Sequence, residues 1–413
     1  MKICGLVTEY NPFHNGHVHH MQEARRLTGC DYLVVVMSGN YVQRGTPAVI
    51  DKYERTRMAL DGGADLVLEI PVLFSTASAE TFATAAVSLL NQLGCVDTIL
   101  FGSEIGDVGI LREIADVLNN EPYSFRADIR EALRSGMSYP AARATALDFH
   151  FGDRIENLPE ILESPNNILG IEYLRALQKL NSPITPMTVH RWKTRHNALD
   201  AEFPDVASAT ALREMLYEED GGVEKIVPYV TPYTAREFAL KHGVCTPVRA
   251  DDFSLILQYK LMNETDRLTE YLDFAPELAD RVKNLLPDCY TFKEWSAALK
   301  TKAFTHTRIN RALIHTILGI RTTDLEEYVD EDFCMYARSL GFRASASPLF
   351  SQIRANTNLP FISKMADARN ILTPKAMRLL MIDVRTSDIF RSVVYNKFGT
   401  LLKDDYTAGI VKY

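Results

Sequence analysis

Cysteine is sparse, and it is scattered. The six cysteines in 413 residues stand at positions 4, 30, 95, 245, 289 and 334, and no two share a C-x-x-C spacing. A zinc ribbon and a dithiol redox pair are therefore not signalled. Cys4 and Cys95 lie in apolar runs, where cysteine acts as a small hydrophobe. A reducing, cytoplasmic setting is the expectation. The chain has no run of 18 apolar residues, so no membrane span and no membrane partner are expected. Its first residues lack the charged start and long apolar run of a secretory signal. Low-complexity segments and repeats of fixed period are missing too. Nor is there an overall basic excess: 45 Lys plus Arg meet 53 Asp plus Glu, a net charge of -8. Taken over the whole chain, that argues against broad binding of nucleic acid.

What is present is a well-stocked globular sequence, 46% hydrophobic and 24% charged, able to bury a sizeable core. The first 105 residues alternate short apolar runs with helical patterns. Strands are expected at 3–8, 32–37, 65–70 and 98–101, and helices at 17–27, 52–60 and 77–93. Continuous apolar strands separated by helices point to a parallel sheet covered on both faces. Ligands in such sheets bind beyond the carboxyl ends of the strands. Residues 108–182 read as a helical insertion, with helices at 108–119, 124–135 and 167–180, and 187–191 as a fifth strand. A helix capped by Ser208 follows. From 222 onward the pattern is mainly helical, with no clear βα alternation. The fold class expected is α/β: a Rossmann-like domain over 1–220, with segment 108–182 inserted, then a mainly α-helical region over 221–413.

The densest chemistry lies where the first strand turns into the first helix. Val7, Thr8, Glu9, Tyr10, Asn11, Pro12, Phe13, His14, Asn15, Gly16 and His17 form a strand end, a proline turn and an H-x-G-H helix start. A helix N-terminus presents unpaired N–H groups and the positive end of a dipole, which suits phosphate. Gly16 lets a nucleotide approach the backbone. His14 and His17 are three apart on one helix face and can donate to phosphate oxygens as pyrophosphate departs. His20 is placed at the same pocket. Two histidines could instead hold a metal, but no third ligand stands in a zinc pattern, so no metal site is expected.

This context resembles the HIGH-motif nucleotidyltransferase superfamily. A second superfamily segment, of S-S-T-x-x-R type, has a counterpart in Ala207, Ser208, Ala209, Thr210, Ala211, Leu212 and Arg213, with Ala209 where serine is usual. Within the superfamily the chain is similar, nearly end to end, to the tRNA(Met) cytidine acetate ligases of bacteria. The strings that carry this begin at Glu9, Met37, Ala64, Phe101, Ser164 and Thr307, among them EYNPFHNGH and SPNNILGIEY.

The resemblance implies activation of acetate by ATP to acetyladenylate, then acetyl transfer to N4 of the wobble cytidine of elongator tRNA(Met). ATP is the nucleotide, with Mg²⁺ as its expected companion. Residues Val7 to His17, with His20, would surround ATP. Gly102 would admit adenosine, and Asn166, Asn167, His190, Arg191, Ser208 and Thr210 would contact nucleotide or substrate. Arg44 or Lys52 would pair with the acetate carboxylate. Another reading is a small-molecule adenylyltransferase of the same superfamily. Those enzymes are usually much shorter and need no helical half of this size.

The charge is unevenly spread. Residues 302–413 hold 16 Lys plus Arg against 11 Asp plus Glu, a net of +5, which leaves -13 for residues 1–301. Lys302, Arg308 and Arg311 fall in this basic part, the two arginines three apart on a helix. With the family resemblance, these three are expected to meet tRNA phosphates.

Overall fold

The computed structural model describes residues 1–191, 207–218, 221–329 and 333–413. Its centre is a mixed sheet in the order β10-β8-β5-β2-β1-β6-β7. The strands are β1 (Ile3–Thr8), β2 (Tyr32–Ser38), a small hairpin of β3 (Tyr41–Val42) and β4 (Thr46–Pro47), β5 (Leu66–Ile70), β6 (Thr98–Ser103), β7 (Thr185–His190), β8 (Ala337–Phe342), β9 (Phe361–Ile362) and β10 (Val411–Lys412). Strands β5, β2, β1, β6 and β7 run parallel, with six Cα partners between β1 and β2 and six between β6 and β7. The chain first winds from β1 to β5 on one side, then returns to β6 and β7 on the other. The switch point is therefore between β1 and β6, and the crevice beyond their carboxyl ends is the place for a ligand.

Alternation along the strands explains why they read as apolar runs. Ile3, Val34, Val36, Leu66, Leu68 and Ile70 face one core. Cys4, Leu6, Leu33, Val35, Met37 and Val67 face the other. Helices α1 (Asn15–Thr28) and α2 (Lys52–Asp61) cover the second face, with Met21, Ala24, Met58 and Leu60 buried there. The short α3 (Val72–Ser75) and the apolar α4 (Ala79–Gln92) cover the first. The insertion supplies α5 (Val108–Asn120), α6 (Tyr123–Arg134), α7 (Tyr139–Phe151), α8 (Leu158–Glu163) and α9 (Pro165–Lys179). Beyond β7 comes α10 (Ala209–Tyr217), capped by the Ser208 hydroxyl. No described helix is long and apolar enough to cross a membrane.

The later half is mainly helical, including helices His306–Leu318 and Pro374–Phe398. It differs from expectation in one respect. Strand β8 lies antiparallel against β5, and β9 and β10 pair with β8. The sheet thus draws on both sides of residue 220. Segment ARSLGF does not read as a strand because Arg338 and Ser339 are polar, yet they are only 2% and 6% exposed. A salt-bridge network answers the arginine, as described below.

Candidate active site

Strand β1 ends at Thr8, and the next residues turn over its carboxyl end into α1. Tyr10 holds a left-handed backbone, φ 49°. His14 is the N-cap of α1, and its Nδ1 accepts from the Gly16 N–H at 3.1 Å. His17 Nδ1 in turn accepts from the His14 N–H at 3.2 Å. The two rings stack at 3.7 Å between centroids. Since each Nδ1 is an acceptor, each neutral ring carries its proton on Nε2. His14 is 2% exposed, and its Nε2 meets no partner among the described residues. His20 Nε2, Thr8 Oγ1 and Tyr10 Oη are likewise buried and unpartnered. Four orphaned polar atoms around one loop mark a place built for polar company.

The positive charge at this place belongs to arginines. Burial, with Arg191 and Arg213 nearby, pushes His14 down to about 3. Burial, His14 and Arg191 hold His17 well below its usual range. His20 falls to about 4 through burial and Arg191. The histidines are thus neutral donors beside two guanidinium groups. Arg213 reaches from α10 to the Asn11 carbonyl at 2.6 Å and the Thr210 hydroxyl at 3.0 Å. Arg191 follows β7; its N–H donates to Ser103 O at 2.7 Å, and its Nη1 to Asn166 Oδ1 at 2.8 Å.

The expected residues divide into those that face the crevice and those that build its wall. Glu104, just past β6, accepts from the Asn167 N–H at 2.9 Å and the Asn166 amide at 2.7 Å, at the start of α9. Asn167 also takes the Ile105 N–H, so its side chain is structural. Asn166 stands between Glu104 and Arg191. The space over Gly102 is filled by Arg191, whose Cδ would lie 2.9 Å from an added Cβ. His190 is exposed at the end of β7. In the loop, Asn11 accepts from the Val49 N–H at 2.8 Å, Phe13 packs edge-on against Tyr10, and the Asn15 amide donates to Pro228 O. Pro12 is buried in the same loop, and Val7 is half-buried. Glu9 takes the Gln43 N–H at 2.7 Å, which fastens the β3–β4 hairpin to the loop.

Two charges expected to be free are not. Lys52 is fully buried, its Nζ 2.8 Å from Glu69, 3.0 Å from Asp405 and 3.1 Å from Ser387. All three ammonium protons are used, so it does not pair with acetate. Arg338 joins the same network through Glu69 and Asp405. Arg311 is 9% exposed and donates to both Asp273 oxygens, at 2.8 and 3.2 Å. Its helix is pressed against the hairpin: an added Cβ at Gly45, φ 72°, would lie 2.3 Å from Arg311 N. Arg311 is therefore not a phosphate contact. Arg308 is half-buried over the Phe304 ring, and Lys302 and Arg44 are exposed.

Sequence reasoning missed Arg55. This fully buried guanidinium donates to the carbonyls of Glu9 at 2.6 Å, Ser38 and Ile50 at 3.2 Å, and Gly39. It binds the loops after β1 and β2 together. In a mixed-charge helix nothing local distinguishes it from a surface arginine. Among the described residues, no group of three or more His, Cys, Asp or Glu could hold a metal.

The pattern of the HIGH Nucleotidyl Transferase family matches residues 1–404. Over 418 aligned residues the chain is 36% identical to the tRNA(Met) cytidine acetate ligase of Acetivibrio thermocellus, covering 100% of both. The chain belongs to this ligase family. The ligase of Caldanaerobacter subterraneus subsp. tengcongensis is 37% identical, again with both chains covered completely. Two crystal structures of Thermotoga maritima TmcAL superpose on it. The form bound with alpha-thio ATP gives a TM-score of 0.90 at 29% identity, covering 100% of this chain and 99% of that one. The apo form gives 0.91 at 30% identity with the same coverage. The ligase-family fold thus extends over both halves, including strands β8 to β10.

Proposed function

We propose that the protein is an ATP-dependent acetate ligase acting on the wobble cytidine of elongator tRNA(Met). The observation that carries this is the reciprocal histidine cap beside Arg191 and Arg213, in a chain that matches the ligases from end to end. That full-length match favours it over a small-molecule adenylyltransferase.

In the first step an acetate oxygen attacks the α-phosphorus of ATP. The bond to the bridging oxygen breaks, giving acetyladenylate and pyrophosphate. The Nε2–H groups of His14 and His17 donate to phosphate oxygens. Arg191 and Arg213 answer the charge that grows on the departing pyrophosphate. Mg²⁺ would accompany the nucleotide and would offset phosphate charge. Neutral histidines suit this role, because they donate without needing a proton from solvent. In the second step the cytidine N4 attacks the acetyl carbonyl carbon, AMP leaves, and the amine proton is released. Positioning does most of this work. With Lys52 engaged, Arg44 on the hairpin turn is the remaining candidate for acetate. Residues 1–220 bind ATP and acetate, and 221–413 supply tRNA contacts at Lys302 and Arg308.

Purified protein with ATP and acetate should release pyrophosphate. Added elongator tRNA(Met) should give N4-acetylcytidine and AMP. Mass spectrometry of the digested tRNA decides the matter, and absence of the acetylated nucleoside would sink the assignment.

A further inference from the structure

The insertion between β6 and β7 holds a basic face that the ATP chemistry does not use. Helix α6 buries Phe125, Ile129 and Ala132 against its neighbours. Tyr123, Arg126, Ala127, Arg130 and Arg134 fall at spacings of 3, 4, 7 and 11, which is one helix face. All are exposed, Tyr123 at 81%. Tyr123, Arg126, Ala127 and Arg130 line a surface concavity of about 240 Å³.

The three arginines have no acidic partner among the described residues. Neighbouring arginines behave differently. Arg143 and Arg175 both pair with Glu172, and Arg154 donates to the Phe151 and His150 carbonyls. The fold therefore answers Arg143, Arg154 and Arg175 of this insertion and leaves the arginines of α6 open. The insertion is also well placed. Its first helix is capped by Asp107, directly beyond β6, and its last is held at Asn166 and Asn167 by Glu104. Both ends are pinned at the rim of the crevice, with the α6–α7 pair between them.

We propose that Tyr123, Arg126 and Arg130, extended by Arg134, form a docking site for the tRNA, two phosphates lying on the guanidinium groups and an unpaired base on the Tyr123 ring. Arginine forks match phosphate geometry, and aromatic rings stack on unpaired bases. The loss of Arg311 to Asp273 gives independent reason to seek phosphate contacts outside helix His306–Leu318. This inference rests on the ligase reading for the identity of the RNA, but not for its binding chemistry.

The test uses the full-length protein and a tRNA(Met) transcript, with binding titrated across salt. The variant Arg126→Glu plus Arg130→Glu should lower the logarithmic salt slope by about two. Arg126→Lys plus Arg130→Lys should retain most of it. Tyr123→Ala should weaken binding without changing the slope. The tRNA-independent formation of acetyladenylate should be equal in all of them, which also reports an intact fold. For acetyl transfer, the glutamate variant should raise KM for tRNA. A glutamate variant with wild-type slope and KM would overturn the docking site. A wild-type protein that binds tRNA but makes no acetylcytidine would overturn the ligase reading alone, because the salt slopes would still decide the site.

Discussion

His14 and His17 each have two tasks, divided between their two ring nitrogens. Nδ1 closes the backbone of α1, and in the proposed reaction Nε2–H serves the ligand. Replacing His17 by Ala should cut acetyladenylate formation by about 10²–10³-fold, as for loss of one donor to a transition-state anion. It should cost about 1 kcal/mol through the lost cap and leave tRNA binding nearly intact. Pyrophosphate release without tRNA and a tRNA titration check this; equal loss of both would contradict the separation of roles. The depressed histidines also set a pH dependence. A histidine whose folded pKa is lowered binds its proton more readily in the unfolded chain. Its cost is absent above the ordinary value of 6.5 and grows as pH falls toward the folded value, about 4 for His20. Melting temperature should therefore fall from pH 6.5 toward 4, and His20→Gln should make the fall shallower. Superimposable curves would show that His20 contributes nothing. At this scale the sequence was informative: the H-x-G-H spacing marked both rings. It could not mark the tautomers, which depend on backbone amides brought close by the turn.

Among elements, α10 is the one that closes the site. Its register was legible from Ser208 and from the Thr210 to Arg213 spacing, but its position over the loop was not. Arg213 crosses 202 residues of sequence to reach Asn11. Lysine lacks the planar fork needed to hold Asn11 O and the Thr210 hydroxyl together. Arg213→Lys should slow acetyladenylate formation by roughly 10–100-fold, the worth of one charge-assisted hydrogen bond. Steady-state kinetics with ATP and acetate would show it, and an unchanged rate would place Arg213 outside the reaction. The central parallel strands were legible because both faces are covered, so most of their residues are apolar. Strand β8 was not, because its buried Arg338 is answered by Glu69 and Asp405, far away in sequence. Arg55 was not legible either, because its carbonyl partners Glu9, Ser38, Gly39 and Ile50 converge only in the folded chain.

For the whole molecule, the decisive feature is the buried network of Lys52, Glu69, Arg338 and Asp405. It joins α2, β5 and β8 to the last residues of the chain. Asp405 is held well below its ordinary range by Arg338 and Lys52, which outweigh burial. Asp405→Ala would leave buried positive charge short of a partner, at a cost of about 3–5 kcal/mol. Denaturant unfolding measures this, and a loss under 1 kcal/mol would mean that solvent reaches the network. Because β8 pairs with β5, the C-terminal region and the catalytic crevice share one sheet.

The sequence by itself determined the order of the five parallel strands and of the longer helices between the first four, the candidate loop after β1 and the family to which the chain is similar. These are local properties: apolar periodicity, a cap, a short motif. Tertiary structure decided which charges are available. Lys52 meets Asp405 across 353 residues, and Arg311 meets Asp273 across 38. Neither pairing is visible in composition or spacing. Burying an ion requires a partner, and only the folded chain supplies it. The net charge of -8 therefore describes the chain, while the surface open to tRNA is set by the arginines that the fold leaves unpaired.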